Sequence, residues 1–295
     1  MTHEYKSIKY KDIIIKISMS EYIYNSVSST LQDNTYDIMT SEIIQKPFGV
    51  SFAKEHMVLP FIVCGGYLGF IYKFSNYMKQ NQSFSLKKPL IYWNSSLCIF
   101  SFIGALQTVP LLFNLIYNSA DFKDTICQPP SQSWGQNPWV GLFVYSKIPE
   151  LVDTFFIIAR KRPLIFLHWY HHVTVLLYCW HSYAVEAPQA LYFIAMNYSV
   201  HAIMYGYYAL SAMKIKPAWL PPAMITSSQI MQMVVGLFVQ CNASYQYLYQ
   251  PTESCPLNGT NIFWGGLMYA SYLKLFCDFA LKRYITPSKS QKLIN

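Results

Sequence analysis

Apolar runs long enough to cross a lipid bilayer alternate with short polar connectors from about residue 57 onward. Hydrophobic residues make up 53% of the chain and charged residues only 12%, which argues against a soluble fold. We therefore predict an all-α membrane protein with seven transmembrane helices, kinked at Pro110 and Pro149. The predicted spans are 57–76, 90–117, 139–160, 164–182, 187–211, 218–241 and 262–282.

Lysine and arginine indicate how the predicted helices lie across the membrane. Four connectors hold thirteen of the 22 basic residues, whereas the alternate connectors hold only Lys123. Because basic connectors stay on the cytosolic side, we expect a lumenal N-terminus and a cytosolic C-terminus. The basic connectors are 73–88, 160–162, 214–216 and the tail after 281. The predicted organisation is a lumenal arm (1–56), a membrane domain (57–285) and a cytosolic tail (286–295).

The net charge of +8 is explained by this membrane topology, and no nucleic-acid-binding motif accompanies it. A nucleic-acid partner is therefore not expected. Clusters of Lys and Arg at cytosolic openings can instead hold an anionic ligand, such as the phosphates of a nucleotide.

Three cysteines lie in or beside the predicted lumenal connectors. In an oxidising lumen Cys127 is expected to pair with Cys255 or with Cys241, and the sequence does not choose between them. Two glycosylation sequons, at Asn242 and Asn258, lie on the same face.

The stretch His168-Trp169-Tyr170-His171-His172 places three imidazoles in a predicted span. At about 100° per residue, positions 168, 171 and 172 share one helix face. Converging imidazoles can bind a metal, transfer protons or attack an electrophile. They can also be hydrogen-bonded contacts between helices, but polar groups inside a membrane are costly and usually functional.

Polar residues at helical spacing also occur in the neighbouring spans, where each side chain needs a partner. Such stripes can bind a ligand, or they can join helices through ion pairs and hydrogen bonds. The third span contributes Lys147, Glu150 and Asp153, the fifth Asn197, His201, Tyr205 and Tyr208, and the sixth Thr226, Gln229 and Gln232.

A His-x-x-His-His box also occurs in membrane di-iron desaturases and hydroxylases, which it resembles in form. Those enzymes use about eight histidines in three boxes, whereas this chain has seven histidines in all and no second box. A di-iron site would lack ligands, so no metal is expected. A single zinc bound by His168, His172 and one other group remains open.

The motifs together resemble the ELO family of very-long-chain fatty acid elongases over about residues 57–285. The resemblance implies a 3-ketoacyl-CoA synthase, which condenses a long-chain acyl-CoA with malonyl-CoA and releases CO2 and CoA without a cofactor. It also implies an endoplasmic-reticulum protein in which helices two to seven form a barrel around an acyl tunnel. The motifs are Lys147-x-x-Glu150-x-x-Asp153-Thr154, His168-x-x-His171-His172, Asn197-x-x-x-His201-x-x-Met204-Tyr205-x-x-Tyr208 and Thr226-x-x-Gln229-x-x-Gln232.

The resemblance also suggests roles for individual residues. It implies that His171, the second histidine of the box, carries the acyl group. Helical spacing alone does not distinguish His168, His171 and His172. For the other residues we hypothesise that His168 and His172 orient the nucleophile or move protons, and that Asn197 and His201 stabilise negative charge on the enolate or thioester oxygen.

Glu150 and Asp153 are expected to orient imidazoles, and Gln229 and Gln232 to bind pantetheine amides. The basic residues expected around the CoA opening are Arg160, Lys161, Arg162, Lys214, Lys216, Lys282 and Arg283.

Partners expected from the resemblance are membrane lipid and the reductases and dehydratase of the elongation cycle, while a homodimer stays open. The chain departs from the family at its C-terminus, where only Lys292 stands near the position of a dilysine retrieval signal. The alternative interpretation is a seven-helix lipid or metabolite transporter, which would also place polar residues at mid-membrane. A third interpretation is a metal-dependent desaturase or hydroxylase.

Overall fold

The computed structural model describes residues 49–215, 217–250 and 254–285, all within one unit that spans residues 47–295. Regular structure in these residues is helical. The α-helices are α1 (Val50–Glu55), α2 (Leu59–Gln80), α3 (Lys87–Asn118), α4 (Phe122–Cys127), α5 (Pro138–Ser146), α6 (Val152–Ala159), α7 (Phe166–Ala184), α8 (Ala190–Ala212), α9 (Pro222–Tyr249) and α10 (Gly259–Ala280).

Each predicted span coincides with helix, but the third is divided. A short 3₁₀ turn, Pro149–Leu151, separates α5 from α6. Proline lacks a backbone N–H and its ring crowds the preceding turn, so the regular hydrogen bonding stops there. The expectation of an irregularity at Pro149 is therefore confirmed. At Pro110, by contrast, helix α3 continues without ending.

Two helices in the described part of the chain, α3 and α9, are long and apolar enough to cross a membrane. Both expose large apolar side chains, among them Phe102 and Phe113 on α3 and Met231 and Phe238 on α9. Apolar surface of this extent is unusual on a soluble monomer and suits contact with lipid.

Glycines allow two of the longest helix contacts to be close. Helix α3 packs along α8, and a Cβ on Gly104 would lie 2.4 Å from the ring of Tyr198. Helix α9 packs along α10, and a Cβ on Gly236 would lie 2.3 Å from the ring of Tyr269. Small residues of this kind let helices approach in membrane proteins.

The start of the described chain packs against the main bundle. Helix α1 contacts α7, where the Trp180 indole donates to the carbonyl of Ala53 at 3.0 Å. Gly49 begins the segment with a φ of +77°, which glycine adopts without strain. Most of the predicted arm (residues 1–48) lies outside the described residues, as does the tail from 286 with Lys292.

A disulfide between Cys127 and Cys255 joins the end of α4 to the connector before α10. Cys241, the other partner that the sequence allowed, is exposed and unbonded. Of the two sequon asparagines, Asn242 lies within α9, and Asn258 accepts a hydrogen bond from the Asn261 N–H and so caps α10. The disulfide ties that cap to α4.

We expect Cys255→Ser to lower the free energy of unfolding by about 2–5 kcal/mol, because the cross-link restricts the unfolded chain. Thermal unfolding in detergent micelles would measure the loss, with Cys241→Ser as the matched control that leaves the midpoint unchanged. An unchanged midpoint for Cys255→Ser would show that the disulfide does not stabilise the fold.

Candidate active site

The three histidines of the box lie on the first turns of α7. The ring centroids of His168 and His172 are 4.5 Å apart, and those of His171 and His172 are 5.5 Å apart. All three rings line one cavity of about 750 Å³. The shared helix face that the spacing predicted is therefore confirmed as a shared cavity wall.

This main cavity collects predicted residues from four stretches of the chain. Its apolar wall includes Ile165, Leu167, Ile225, Phe276 and Phe279, while Lys282 and Arg283 line the exposed end beyond α10. The predicted site residues that line it are Asp153, His168, His171, His172, His201, Tyr205, Tyr208, Thr226 and Gln229.

His168 is held from the side of α6. Its Nε2 lies 2.9 Å from the Thr154 hydroxyl, which is itself 2.7 Å from the hydroxyl of Tyr67 on α2. Both Tyr67 and Thr154 are buried. This chain of hydroxyls fixes the ring orientation of His168, so one of its nitrogens is already engaged.

His171 differs from His168 in what its ring nitrogens meet. No group in the described residues hydrogen-bonds them, and the ring faces the main cavity. The ring lies 5.1 Å from that of Tyr272 on α10, whose hydroxyl donates to the His171 carbonyl at 3.2 Å. Tyr272 therefore fixes the backbone of His171 while leaving its imidazole available.

His172 and His201 complete the group of imidazoles. Both residues are buried, and the Nδ1 atom of His172 has no hydrogen-bond partner in the described part of the chain. The ring of His201 lies 5.3 Å from that of Tyr205. A buried nitrogen without a partner is costly, so it marks a position where substrate or water is expected to bind.

Among the described residues neither carboxylate of the third span hydrogen-bonds an imidazole, as the hypothesis that they orient imidazoles directly would require. Asp153 accepts from the indole N–H of Trp93 at 2.6 Å and from the hydroxyl of Tyr205 at 2.7 Å. Glu150 accepts from Lys147 at 2.8 Å. Among the described residues the Thr154 hydroxyl takes the place beside His168, because it is one position from Asp153 on α6 and faces α7.

Lys147 and Glu150 form the predicted ion pair, and it is buried. Lys147 also donates to the Asn197 side-chain oxygen at 3.3 Å, and Ser146 donates to Glu150 at 2.9 Å. None of these residues lines the main cavity. The cluster connects α5, the Pro149 turn and α8 behind the histidines, which is a positioning arrangement for this part of the protein.

The predicted amide stripe on α9 is divided in the structure. Gln229 lines the main cavity and its amide lies 3.4 Å from the sulfur of Met204. Thr226 lines it too, and its hydroxyl is 3.1 Å from that of Tyr284. Gln232 is buried beside Tyr269 and does not line this cavity.

The arginines after α6 lie at a second, adjoining cavity. Arg160 and Arg162 line a chamber of about 440 Å³, and Lys161 lines a polar recess outside it. The chamber and the main cavity share Asp153, His168 and three tyrosines, which are Tyr205, Tyr207 and Tyr208.

Sequence reasoning missed Tyr67, Trp93 and Tyr272, which hold the site residues in place. Each is an aromatic side chain with a polar tip, and such a tip needs a partner when it is buried. That requirement was readable from the sequence, but with 25 tyrosines in the chain it does not single out these three.

The geometry can support nucleophilic attack by an imidazole beside an apolar wall with cations at the opening. Within the described residues, no group of three or more His, Cys, Asp and Glu side chains has the arrangement of a metal site. The main cavity places imidazole nitrogens beside an apolar wall, with cations at its exposed end.

Comparisons with known proteins identify the family of this chain. The family model described as GNS1/SUR4 family matches residues 52–292. Very long chain fatty acid elongase 6 of Drosophila melanogaster is 41% identical over 81% of this chain and 77% of its own length. Very long chain fatty acid elongase 6 of Mus musculus is 40% identical over 80% of this chain and 88% of its own length. Very long chain fatty acid elongase 3 of Homo sapiens is 38% identical over 82% of this chain and 88% of its own length.

The match extends over most of the chain and includes the histidine box, the cavity and the polar residues behind it. Together with the apolar exposed helices it indicates a membrane protein, and the regular structure of its described residues is helical. The chain belongs to the GNS1/SUR4 (ELO) family.

Proposed function

We propose that this protein condenses a long-chain acyl-CoA with malonyl-CoA by a ping-pong reaction in which His171 carries the acyl group. Membership of the family makes the chain a fatty acid elongase, and the condensing step is the 3-ketoacyl-CoA synthase reaction. The observation that supports His171 over His168 is that its ring nitrogens, which face the main cavity, are not hydrogen-bonded by described residues. His172 shares the cavity but is buried, whereas His171 is partly exposed.

In the first half-reaction a neutral His171 nitrogen attacks the thioester carbonyl of acyl-CoA. The carbon–sulfur bond breaks, and the proton on the other ring nitrogen is transferred to the departing CoA thiolate. The product is an acyl-imidazole and free CoA. The apolar wall of the main cavity, including Phe276 and Phe279, supports an acyl chain next to the ring.

In the second half-reaction malonyl-CoA loses its carboxylate as CO2, and the electron pair of that bond stays on the adjacent carbon. This carbon attacks the acyl-imidazole, the carbon–nitrogen bond breaks and the imidazolate takes up a proton. His201 lies on the cavity wall, where it can stabilise charge on the thioester oxygen. Asn197 does not line the cavity and has a positioning role, because its side-chain oxygen accepts a hydrogen bond from Lys147.

The surroundings complete the proposal. The helices at the predicted spans form a seven-helix bundle with a barrel around an acyl tunnel, in the endoplasmic-reticulum membrane. Basic residues at the exposed ends of both cavities support a cytosolic face for CoA, a lumenal N-terminus and a cytosolic C-terminus. The reaction needs no cofactor, and the expected partners are the reductases and dehydratase that process its product.

Incubation of the purified protein with malonyl-CoA that is labelled in its free carboxylate tests the reaction class. We expect labelled CO2 only when acyl-CoA is also present, together with a 3-ketoacyl-CoA two carbons longer than the acyl substrate. A transporter would release no CO2, and a desaturase would give an unsaturated acyl group without consuming malonyl-CoA. Either of these results would overturn the proposal.

A further inference from the structure

Two charged side chains lie on the outer face of α10. The Lys274 ammonium is 2.7 Å from the Asp278 carboxylate, and the two side chains are 75% and 43% exposed. The other face of α10 packs against α7 and α9, and α9 is long and apolar enough to cross a membrane. The outer face also exposes Phe263 and Leu267, which suits contact with lipid. Charged groups on such a face are costly unless they meet protein.

The ion pair lies inside α10 and away from the basic end of that helix. Lys274 precedes Lys282 by eight residues, which is about 12 Å along the helix axis. Its ammonium extends along the axis as far as Asp278, one turn away. The carboxylate of Asp278 is on a short side chain and stays close to its helix. Both charges therefore need a polar or charged surface that covers them at this depth.

Two small residues lie in the same row of α10 as the ion pair. Positions 266, 270, 274 and 278 follow at intervals of four, so they share one side of the helix, and the first two are Gly266 and Ala270. A Cβ on Gly266 would meet no described atom within 4 Å, whereas one on Gly265 would overlap side chains of α7 and α9. Packing of the described residues therefore requires glycine at 265 but not at 266. Small residues four apart let a second membrane helix approach closely.

We propose that this row, Gly266, Ala270, Lys274 and Asp278, is the contact between two copies of this chain. The row carries one positive and one negative charge a turn apart, so it is complementary to itself. Two copies that have the same orientation in the membrane have parallel α10 helices, related by a twofold axis along the membrane normal. Lys274 then lies one turn from Asp278 of the partner subunit, the axial distance that it already covers to its own Asp278.

Charge favours a second copy over other occupants of this surface. In the dimer each ammonium lies between two carboxylates, and each carboxylate lies between two ammonium groups. The hydrocarbon region of a lipid supplies no such counter-charges, and an apolar helix would cover the ion pair without bonding to it. Gly266 and Ala270 bring the two helix axes close enough for the charged side chains to meet.

The active-site cavity lies on a different side of α10. Phe276 and Phe279, which line the main cavity, are about 120° and 180° from Ala270 around the helix. Each copy therefore keeps a complete cavity in the dimer, and this inference does not depend on the proposed function.

Exchange of the two charges between copies tests the interface. Two differently tagged copies are expressed together, and the second copy is measured after capture of the first in a mild detergent. Wild-type copies should co-purify. When both copies carry Lys274→Glu, or both carry Asp278→Lys, like charges meet, so we expect co-purification to fall at least about tenfold. A mixed pair, with one copy of each variant, brings opposite charges together again and should co-purify as wild type does.

Lys79→Glu in both copies is the matched control, because Lys79 is an exposed lysine at the end of α2. It should leave co-purification unchanged. Association of the mixed pair also shows that each single variant folds. Wild-type copies that do not co-purify, or a mixed pair that associates no better than the two like pairs, would overturn the proposal.

A second variant, Gly266→Leu, adds a large side chain to the row without disturbing the described packing. We expect it to keep the copies apart while turnover per chain stays at the wild-type level. Gly66→Leu on α2 is its matched control, since a Cβ there also meets no described atom within 4 Å. Co-purification of Gly266→Leu at the wild-type level would contradict the proposed contact.

Discussion

His171→Ala is expected to lose condensation activity by roughly 10³-fold or more, since removing a nucleophile eliminates the covalent route rather than weakening one contact. The fold should survive, because no described group hydrogen-bonds the ring nitrogens of His171. The Tyr272 hydroxyl donates to the backbone carbonyl at position 171, and alanine keeps that carbonyl. Product formation from acyl-CoA and malonyl-CoA measures the loss, and thermal unfolding in detergent checks the fold.

The matched control for this variant is His56→Ala. His56 is exposed, lies before α2 and is absent from both cavities, so its removal should leave turnover unchanged. Wild-type turnover by His171→Ala would eliminate His171 as the nucleophile. Loss of the fold together with activity would be resolved by His171→Gln, which keeps a polar side chain at the cavity wall but cannot form an acyl-imidazole.

The largest effect on stability is expected from Lys147→Met. The side chains of Lys147 and Glu150 are 2% and 4% exposed, so removal of the lysine leaves a carboxylate without its counter-charge inside the bundle. Breaking a buried ion pair in this way costs about 3–5 kcal/mol. Asn197 loses a donor in the same variant. Thermal unfolding in detergent micelles would show a correspondingly lower midpoint.

The double variant Lys147→Met with Glu150→Leu distinguishes an ion-pair effect from a packing effect. Replacing both charges by apolar side chains removes the unpaired carboxylate, so most of the lost stability should return. If the double variant is no more stable than Lys147→Met, the loss comes from altered packing and the ion pair is not its cause.

The helices of this protein were largely predictable from the sequence. Long apolar runs bounded by polar connectors identify helices at the predicted spans. Kinks were predicted at both Pro110 and Pro149, and in the described residues the helix continues through Pro110 and is interrupted at Pro149. The shared face of His168, His171 and His172 follows from helical periodicity alone. These features depend on residues close together in the chain, which is why the sequence reveals them.

The partners of the site residues were not predictable in the same way. Glu150 and Asp153 have the right spacing to face the histidines, but the rotation of α6 against α7 brings Thr154 to His168 instead. Asp153 turns to Trp93 and Tyr205, which are distant in sequence. Rotation between helices depends on packing around the whole bundle, so a single sequence does not specify it.

The same reason explains why Gln229 and Gln232 differ. Both lie on the predicted amide stripe of α9, three positions apart, yet only Gln229 lines the main cavity. Periodicity predicts that the two share a face, but the width of the cavity determines how many turns of that face a ligand can touch. The role of Gln232 in binding pantetheine amides is therefore less supported than that of Gln229.

The most direct test of the account is to find the acyl group on the enzyme. Protein incubated with a long-chain acyl-CoA in the absence of malonyl-CoA, then digested and analysed by mass spectrometry, should carry one acyl group on His171 and lose it when malonyl-CoA is added. An acyl group on another residue, or full turnover with no acylated enzyme at any time, would contradict the ping-pong mechanism through His171.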